Sequence, residues 1–167
     1  TVIIPAWNAG DDLDRCLAAV LKSDYPLAEC IVVDDASTEP STAEIARRHE
    51  VKLVTMDRQG GPGLARNRGA SLATGDVLMF TDADVLLHTD AIGKAVAVLE
   101  AEPGVAAVFG SYDHHPDHPS YLSRYRNLYH TWNHQLANEE ASTFWTGCGV
   151  VRRQVFLDLG GFSAEFE

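Results

Sequence analysis

The stretch Val77-Leu78-Met79-Phe80-Thr81-Asp82-Ala83-Asp84 places a run of four apolar residues directly before two carboxylates that are one residue apart. A short apolar run of this kind is typical of a buried strand. Because residues two apart in a strand point to the same face, we expect both acids on one side of a sheet edge. Like charges at that distance repel, and carboxylate oxygens suit Mg²⁺ or Mn²⁺. The pair is therefore a candidate metal site, but the tripeptide alone is weak evidence, since most such pairs cap a helix or face water.

Length and charge restrict the class of protein. The chain has 167 residues, of which 46% are hydrophobic and 22% charged, as expected for one globular domain. Its formal charge of −11 would repel a phosphate backbone, so we expect no nucleic-acid partner. No apolar run approaches the roughly 20 residues of a membrane-spanning helix.

Cys16, Cys30 and Cys148 lack Cys-x-x-Cys spacing, which predicts buried reduced thiols in a cytoplasmic domain, with a catalytic nucleophile as the alternative.

Apolar strands alternate with amphipathic helices along the chain. The first strand is expected to stop at Pro5, Ser41-Thr42-Ala43-Glu44 resembles a capping box, and Thr89 is the expected cap of a helix that ends before Pro103. Strands that are apolar on both faces are typical of a parallel sheet covered by helices. The sequence therefore predicts an α/β, Rossmann-like fold with a central, mostly parallel sheet flanked by helices. The predicted strands are 1–4, 30–33, 51–54, 77–80 and 105–109, and the other predicted helices are 11–21, 41–49, 64–74, 121–136 and 154–159.

The region after the fifth strand offers two less specific signals. Residues 111–120 are polar and contain His114, His115 and His118, which suggest zinc, but a Pro-bearing loop without a second ligand cluster favours a solvated loop. In the helix that follows, Leu and aromatic residues recur at helical spacing, and we predict that this stripe packs in the core.

Polar residues follow three of the predicted strands: Pro5 to Asn8, Asp34-Asp35 and Asp82-x-Asp84. In open α/β sheets, ligands bind at the carboxyl ends of the strands where the chain order reverses. Asp34-Asp35 alone favours a turn that caps the next helix. An Asp-Asp pair also follows a strand in phosphate-accepting receiver domains, but the Lys that such domains need is absent. Gly60-Gly61-Pro62-Gly63 matches neither the dinucleotide fingerprint nor a P-loop. Arg66 and Arg68 are placed either to face a diphosphate or to remain solvated.

Taken in order, six motifs resemble the signature of family 2 glycosyltransferases with the GT-A fold, and the resemblance spans nearly the whole chain. The motifs are Val2-Ile3-Ile4-Pro5-Ala6-Trp7-Asn8, Val32-Val33-Asp34-Asp35-Ala36-Ser37, Gly63-Leu64-Ala65-Arg66-Asn67-Arg68-Gly69, Ala73-Thr74-Gly75-Asp76, Phe80-Thr81-Asp82-Ala83-Asp84 and Gly160-Gly161-Phe162.

This resemblance implies a nucleotide-diphospho-sugar donor, with UDP as the default nucleotide, and a divalent metal, Mn²⁺ or Mg²⁺. Asp84 would be the metal ligand proper, and Asp82 would hold the ribose or a metal-bound water. The resemblance implies further donor-binding positions. Pro5, Ala6 and Asn8 would line the base and ribose, and Gly63 and Arg66 would lie near the ribose and diphosphate. Asp35 would accept a hydrogen bond from the base, while Asp34 would either bind the donor as well or orient the turn.

The resemblance also implies an acceptor side. Residues 143–149 are similar to the floor of the acceptor and sugar site, with Trp145 either stacked on a sugar or simply core, Gly147 in that floor, and Cys148 behind Trp145. Family members invert the anomeric centre and need a general base. The resemblance implies that this base is an Asp in a Glu-Asp pair, shortly after the Gly-Gly-Phe motif. The chain ends at Glu167 before such a residue, and we expect Glu165 and Glu167 to be surface residues.

These features predict that residues 1–167 form a single GT-A catalytic-type domain, truncated at both ends, from a longer protein whose membrane association is left open. The acceptor would be a glycan, a lipid or another hydroxyl compound. Two alternatives stay open. A sugar-phosphate nucleotidyltransferase would need an early Gly-x-Gly-x-Arg loop and a Lys, which the loop after the first strand lacks. A nucleotide-sugar-binding pseudoenzyme or regulatory module would explain the missing base.

Overall fold

A computed structural model describes residues 1–114, 116, 119–136 and 144–163. The described part contains a six-stranded sheet in the order β3-β2-β1-β4-β6-β5, with helices on both faces. The strands are β1 (Val2–Ala6), β2 (Cys30–Asp34), β3 (Lys52–Thr55), β4 (Val77–Phe80), β5 (Ala107–Phe109) and β6 (Gly149–Arg152). The helices are α1 (Gly10–Val20), α2 (Ser41–Arg48), α3 (Gly61–Leu72), α4 (Ala91–Ala101), α5 (Tyr121–Gln135) and α6 (Arg153–Asp158), with a 3₁₀ turn at Thr146–Cys148.

The sheet is mostly parallel, as predicted. Strands β1 to β4 run parallel, with β1 between β2 and β4, whereas β6 is antiparallel to both β4 and β5. The chain first builds outward from β1 through β2 to β3 and then returns to add β4 on the other side of β1. The strand order therefore reverses between β1 and β4, and the carboxyl ends of these two strands flank the expected ligand crevice.

Alternating residues of the strands build the two halves of the core. Ile4 and Val32 face the helices α1, α2 and α4, while Ile3 and Val33 face α3 and α6. Both sides exclude water, which explains why the strands read as continuous apolar runs.

The prediction that β1 stops at Pro5 was wrong, because β1 continues through Pro5 to Ala6. Within β1, Ile3 O accepts from Thr81 N toward β4, whereas Ala6 O accepts from Asp35 N toward β2. Pro5 is two residues after Ile3 and therefore faces the β4 side, where pairing has already ended at Phe80. A missing N–H costs no sheet hydrogen bond at that position.

Two predicted helix caps are also wrong. The capping box at Ser41 does not form, since Pro40 is the N-cap of α2. Among the described residues, no side chain caps this helix and Ser41 Oγ has no hydrogen-bond partner. Helix α4 begins after Asp90 rather than after Thr89.

The stripe on α5 does not pack in the core. Leu122 is 57% exposed and Trp132 is 61% exposed, and the other members of the stripe are exposed as well. The buried residue of α5 is instead Thr131, whose hydroxyl donates to Tyr112 O at 3.0 Å. A polar contact thus holds this helix against the domain, and its apolar side faces outward.

Candidate active site

The two acids of the Asp-x-Asp motif lie just beyond β4. The strand ends at Phe80, and Val85 N donates to Asp82 O at 3.1 Å, so residues 82–85 form a turn. The expectation that strand geometry places both acids on one sheet face is therefore wrong. The turn nevertheless keeps both at the rim beside the carboxyl end of β1, with Asp84 exposed and Asp82 partly exposed.

Arg66 is the immediate counter-charge of Asp82. Its Nη2 donates to Asp82 Oδ1, and its side chain is 9% exposed against 39% for Asp82. The repulsion between the two acids is thus first relieved by an arginine, and one Asp82 oxygen is already engaged. Arg66 Nε is buried and has no hydrogen-bond partner in the described structure. The guanidinium therefore keeps one buried N–H donor without a partner among the described residues.

The Gly-Gly-Phe motif explains how Arg66 is positioned. Asn67 donates to Phe162 O at 2.8 Å and accepts from Phe162 N at 2.9 Å, which fixes this turn to α3. Gly160 and Gly161 both have positive φ, a conformation that favours glycine. The Phe162 ring then lies 5.6 Å from the Arg66 guanidinium carbon, within the range of a cation–π contact.

Asp35 organises the Gly-rich loop. Its two carboxylate oxygens accept from Gly60 N and Gly61 N, each at 2.8 Å, and the residue is only 3% exposed. These amides belong to the N-terminus of α3, where the helix dipole favours a negative charge. Asp35 therefore brings the loop that leads to Gly63 and Arg66 to the end of β2. Its proposed hydrogen bond to a base is a further role, which stays a prediction.

Asn8 and Asp34 shape the turns that follow β1 and β2. Asn8 has a φ of 49°, and its side-chain oxygen accepts from Thr38 N at 2.9 Å. Asp34 Oδ1 accepts from Ser37 N at 2.9 Å. This bond orients the turn, which is one of the two roles predicted for Asp34. These bonds join the loop after β1, which follows Pro5 and Ala6 at the end of that strand, to the loop after β2.

Asp84 lies in the wall of a cavity of about 770 Å³ next to this rim. Its walls come from α1, the loop after β4, residues 110–113, α5 and the segment before β6. The volume falls within the range of small-molecule sites. Asp12, Arg15, Asp84, His88, Tyr112, Ser123, Asn127, Trp145, Gly147 and Cys148 are among the lining residues.

Trp145 belongs to an aromatic cluster in this wall. Its ring centroid lies 4.8 Å from that of His134, 5.5 Å from that of His130 and 5.9 Å from that of Tyr112. A Cβ on Gly147 would meet Trp145 Nε1 at 2.8 Å, so only glycine leaves room for the indole. Cys148 also lines the cavity. The structure thus brings the three predicted acceptor-site residues to the cavity that contains Asp84.

Sequence reasoning missed Tyr112, which it assigned to a solvated loop. Burial raises the pKa of the Tyr112 phenol, and the nearby charges of Asp84 and Asp82 raise it further. The phenol therefore stays protonated at neutral pH and is able to donate a hydrogen bond beside the acidic pair. No local pattern marks it, because it reaches the site only through the packing of α5 against residues 112 and 113.

The cysteines are not activated. All three thiols are free, and burial raises the pKa of Cys16 and of Cys30 to about 12. Burial also raises the pKa of Cys148. A thiolate nucleophile is therefore disfavoured at each position. Cys16 and Cys30 are buried as predicted, whereas Cys148 is half-buried.

Two parts of the sequence suggested a metal ion, the His-rich segment 111–120 and the acidic pair Asp82 and Asp84. Across the described residues, no group of three or more His, Cys, Asp or Glu side chains is placed to hold a metal ion. His115 and His118 of the suggested zinc site lie outside those residues. Asp82 and Asp84 offer two carboxylates. Two carboxylates suit a metal ion that takes its remaining ligands from a diphosphate, since Mg²⁺ sites commonly combine one or two carboxylates with substrate phosphates.

The mostly parallel six-stranded sheet with helices on both faces is a fold of the GT-A type, and it has an acidic rim at its switch point. Residues 1–160 match the family described as Glycosyl transferase family 2, and the chain belongs to that family. This assignment supersedes the nucleotidyltransferase alternative. In the region that the structure describes, no helix combines the length and apolar character needed to cross a bilayer.

Relatives agree with this assignment. Glycosyltransferase AglE of Haloferax volcanii is 32% identical over 172 aligned positions, which cover 97% of this chain and 55% of that protein. A solved structure of the mannosyltransferase PcManGT from Pyrobaculum calidifontis, in complex with GDP-Man and Mn²⁺, is 29% identical with a TM-score of 0.74, covering 98% of this chain and 47% of that one. S. aureus TarS 1–349 in complex with UDP has the same TM-score at 22% identity, covering 98% and 50% respectively. The chain thus spans about half the length of these relatives.

Proposed function

We propose that the chain binds a nucleotide-diphospho-sugar together with Mn²⁺ or Mg²⁺ and is the donor-binding part of an inverting glycosyltransferase. The observation that carries the proposal is the placement of Asp84 in the wall of the 770 Å³ cavity, two residues after the Asp82 that pairs with Arg66 beyond the end of β4. The relative that is 29% identical and holds GDP-Man and Mn²⁺ supports both the ligand class and the metal.

Each part of the rim has a separate task in this proposal. Pro5, Ala6, Asn8, Asp34 and Asp35, at the carboxyl ends of β1 and β2, would receive the base and ribose. Gly63 and Arg66 face the ribose and diphosphate, and the Arg66 guanidinium contributes positive charge there. Asp84, assisted by Asp82, would hold the metal, which when bound offsets the charge that develops on the diphosphate leaving group.

The transfer step breaks the bond between the anomeric carbon and the diphosphate oxygen while an acceptor hydroxyl oxygen attacks from the opposite side. Trp145, Gly147 and Cys148 would border the acceptor and sugar in the cavity. The proton of the attacking hydroxyl needs a base, and Glu165 and Glu167 lie outside the described residues. We propose that the base belongs to a longer protein, so transfer is expected to be weak or absent in residues 1–167 and to appear in that protein. Robust transfer by residues 1–167 would instead assign the base to this chain.

Thermal unfolding tests the donor site. Mn²⁺ and a nucleoside diphosphate together should raise the melting temperature more than the sum of their separate effects. A ligand at 100-fold excess over its dissociation constant stabilises the folded chain by about 2.7 kcal/mol, so the shift is large enough to measure. Asp84→Asn should remove this synergy. UDP, GDP and dTDP should be compared, because UDP is only the default.

Asp76→Asn is the matched control, since Asp76 is an exposed acid immediately before the opposite end of β4. It removes the same charge and should leave the synergy intact. Undiminished synergy in Asp84→Asn would refute the assignment of Asp84 as the metal ligand.

A further inference from the structure

Helix α5 has its apolar residues on the outside. With about 100° per residue, its seven exposed apolar positions occupy one uninterrupted arc of about 120°. We call this set the outer face of α5. It consists of Tyr121, Leu122, Tyr125, Leu128, Tyr129, Trp132 and the C-cap residue Leu136.

The opposite side of α5 is polar and faces the domain. Thr131 is buried against Tyr112 O, Asn127 donates to Asp113 O, and His130 and His134 contact the Trp145 ring. Exposed apolar residues scattered singly need no explanation, but a contiguous aromatic face does. The polarity of this helix is the reverse of that expected for a helix that packs on a core, so the outer face is suited to an apolar partner.

The charges beside the outer face restrict that partner. Arg124 and Arg126 are exposed, and they flank the apolar arc on its two sides at about 40° beyond its edges. Residues 121–136 contain no Asp or Glu, although the whole chain has a formal charge of −11. A second copy of α5 would therefore place arginines against arginines without an acid to pair them. A surface that combines negative charges with an apolar layer is complementary to the arginines and to the apolar arc, respectively.

We propose that α5 docks on the surface of a bilayer that contains anionic lipids. Tyr and Trp side chains favour the membrane–water interface, and flanking arginines reach the headgroups while their stems cover apolar surface. The acidic remainder of the domain is repelled by the same surface, which orients the protein with α5 toward the membrane. Ser123 and Asn127 of this helix line the cavity that contains Asp84, so docking brings one cavity wall to the headgroups. This inference does not depend on the transferase proposal.

Vesicle co-sedimentation of residues 1–167 tests the docking. We expect binding to phosphatidylcholine vesicles that contain about one third phosphatidylserine, much weaker binding to phosphatidylcholine alone, and a decrease with salt. Arg124→Ala/Arg126→Ala should weaken binding about 30-fold. Tyr125→Gln/Tyr129→Gln/Trp132→Gln should abolish it, and because these side chains are exposed the variant should keep its melting temperature.

Matched controls separate α5 from general effects. Arg47→Ala/Arg58→Ala changes the net charge by the same amount at exposed arginines elsewhere, and Leu157→Gln/Leu159→Gln removes exposed apolar side chains from the region of α6. Both should bind like the unmodified chain. Three results would overturn the proposal: no preference for anionic vesicles, a dimer in sedimentation analysis that the Tyr125/Tyr129/Trp132 variant abolishes, or vesicle binding that disappears in a longer protein containing this chain. The last result would show that another segment covers the outer face.

Discussion

At the residue level, the acidic motif after β4 is an arginine-paired unit rather than two free carboxylates. Arg66 engages Asp82, and Phe162 lies against the guanidinium, while Asp84 remains exposed at the cavity. The two acids therefore differ in environment. This asymmetry supports the proposed division of roles, in which Asp84 is the primary metal ligand and Asp82 an assisting group.

Replacing Asp35 by Ala should destabilise the domain by about 3 kcal/mol, because two amides lose a charged acceptor in a buried position. Chemical denaturation measures this change. Asp57→Ala, which removes an exposed acid from the neighbouring loop, should cost less than about 0.5 kcal/mol. Nucleotide affinity should also fall in Asp35→Ala, since the loop leading to Arg66 loses its attachment. Equal stability of the two variants would show that the Gly60–Gly61 loop does not need this anchor.

At the level of elements, Glu29 joins three parts of the sheet and its flanking helix. The carboxylate accepts from Thr74 N and Thr74 Oγ1 after α3, from Lys52 Nζ on β3, and from Thr1 Oγ1 before β1. Burial alone would raise the pKa of Glu29, but these hydrogen bonds outweigh it and hold the pKa at about 2.

This depressed pKa predicts a specific acid sensitivity. The ionised carboxylate stabilises the folded chain above the ordinary pKa of 4.5, and this contribution is lost as the pH falls from there toward about 2. Denaturation of the unmodified chain and of Glu29→Gln between neutral pH and about pH 2.5 checks it. The stability difference between the two should shrink on acidification. A difference that does not change with pH would contradict the role of the Glu29 charge.

The sequence was a good guide to elements that local pattern determines. Strand β4 has the predicted bounds, and the alternation of apolar strands and helices correctly indicated a mostly parallel sheet. It failed on α5, because periodicity identifies an apolar face without showing whether that face is covered. It also missed the contacts of Asp35 with Gly60 and of Asn67 with Phe162, since partners 25 and 95 residues apart meet only after the sheet forms.

At the level of the whole molecule, one edge of the sheet gathers the chemistry. The loops after β1, β2 and β4 meet there, and the cavity beside them is closed on one side by α5. The sequence motifs predicted this gathering because parallel strands place their carboxyl ends at the same edge. They did not predict the cavity's outer wall, which depends on the packing of α5 and Trp145.

Calorimetric titration of the chain with UDP, GDP and dTDP, with and without Mn²⁺, tests the central claim most directly. We predict that at least one nucleotide binds to a single site and that Mn²⁺ tightens it by a factor of about 10 or more, equivalent to about 1.4 kcal/mol. The metal-dependent gain should be absent in Asp84→Asn and intact in Asp76→Asn. Failure of all three nucleotides to bind, or binding with the same affinity in the presence and absence of metal, would contradict a metal-assisted nucleotide-sugar site at this rim.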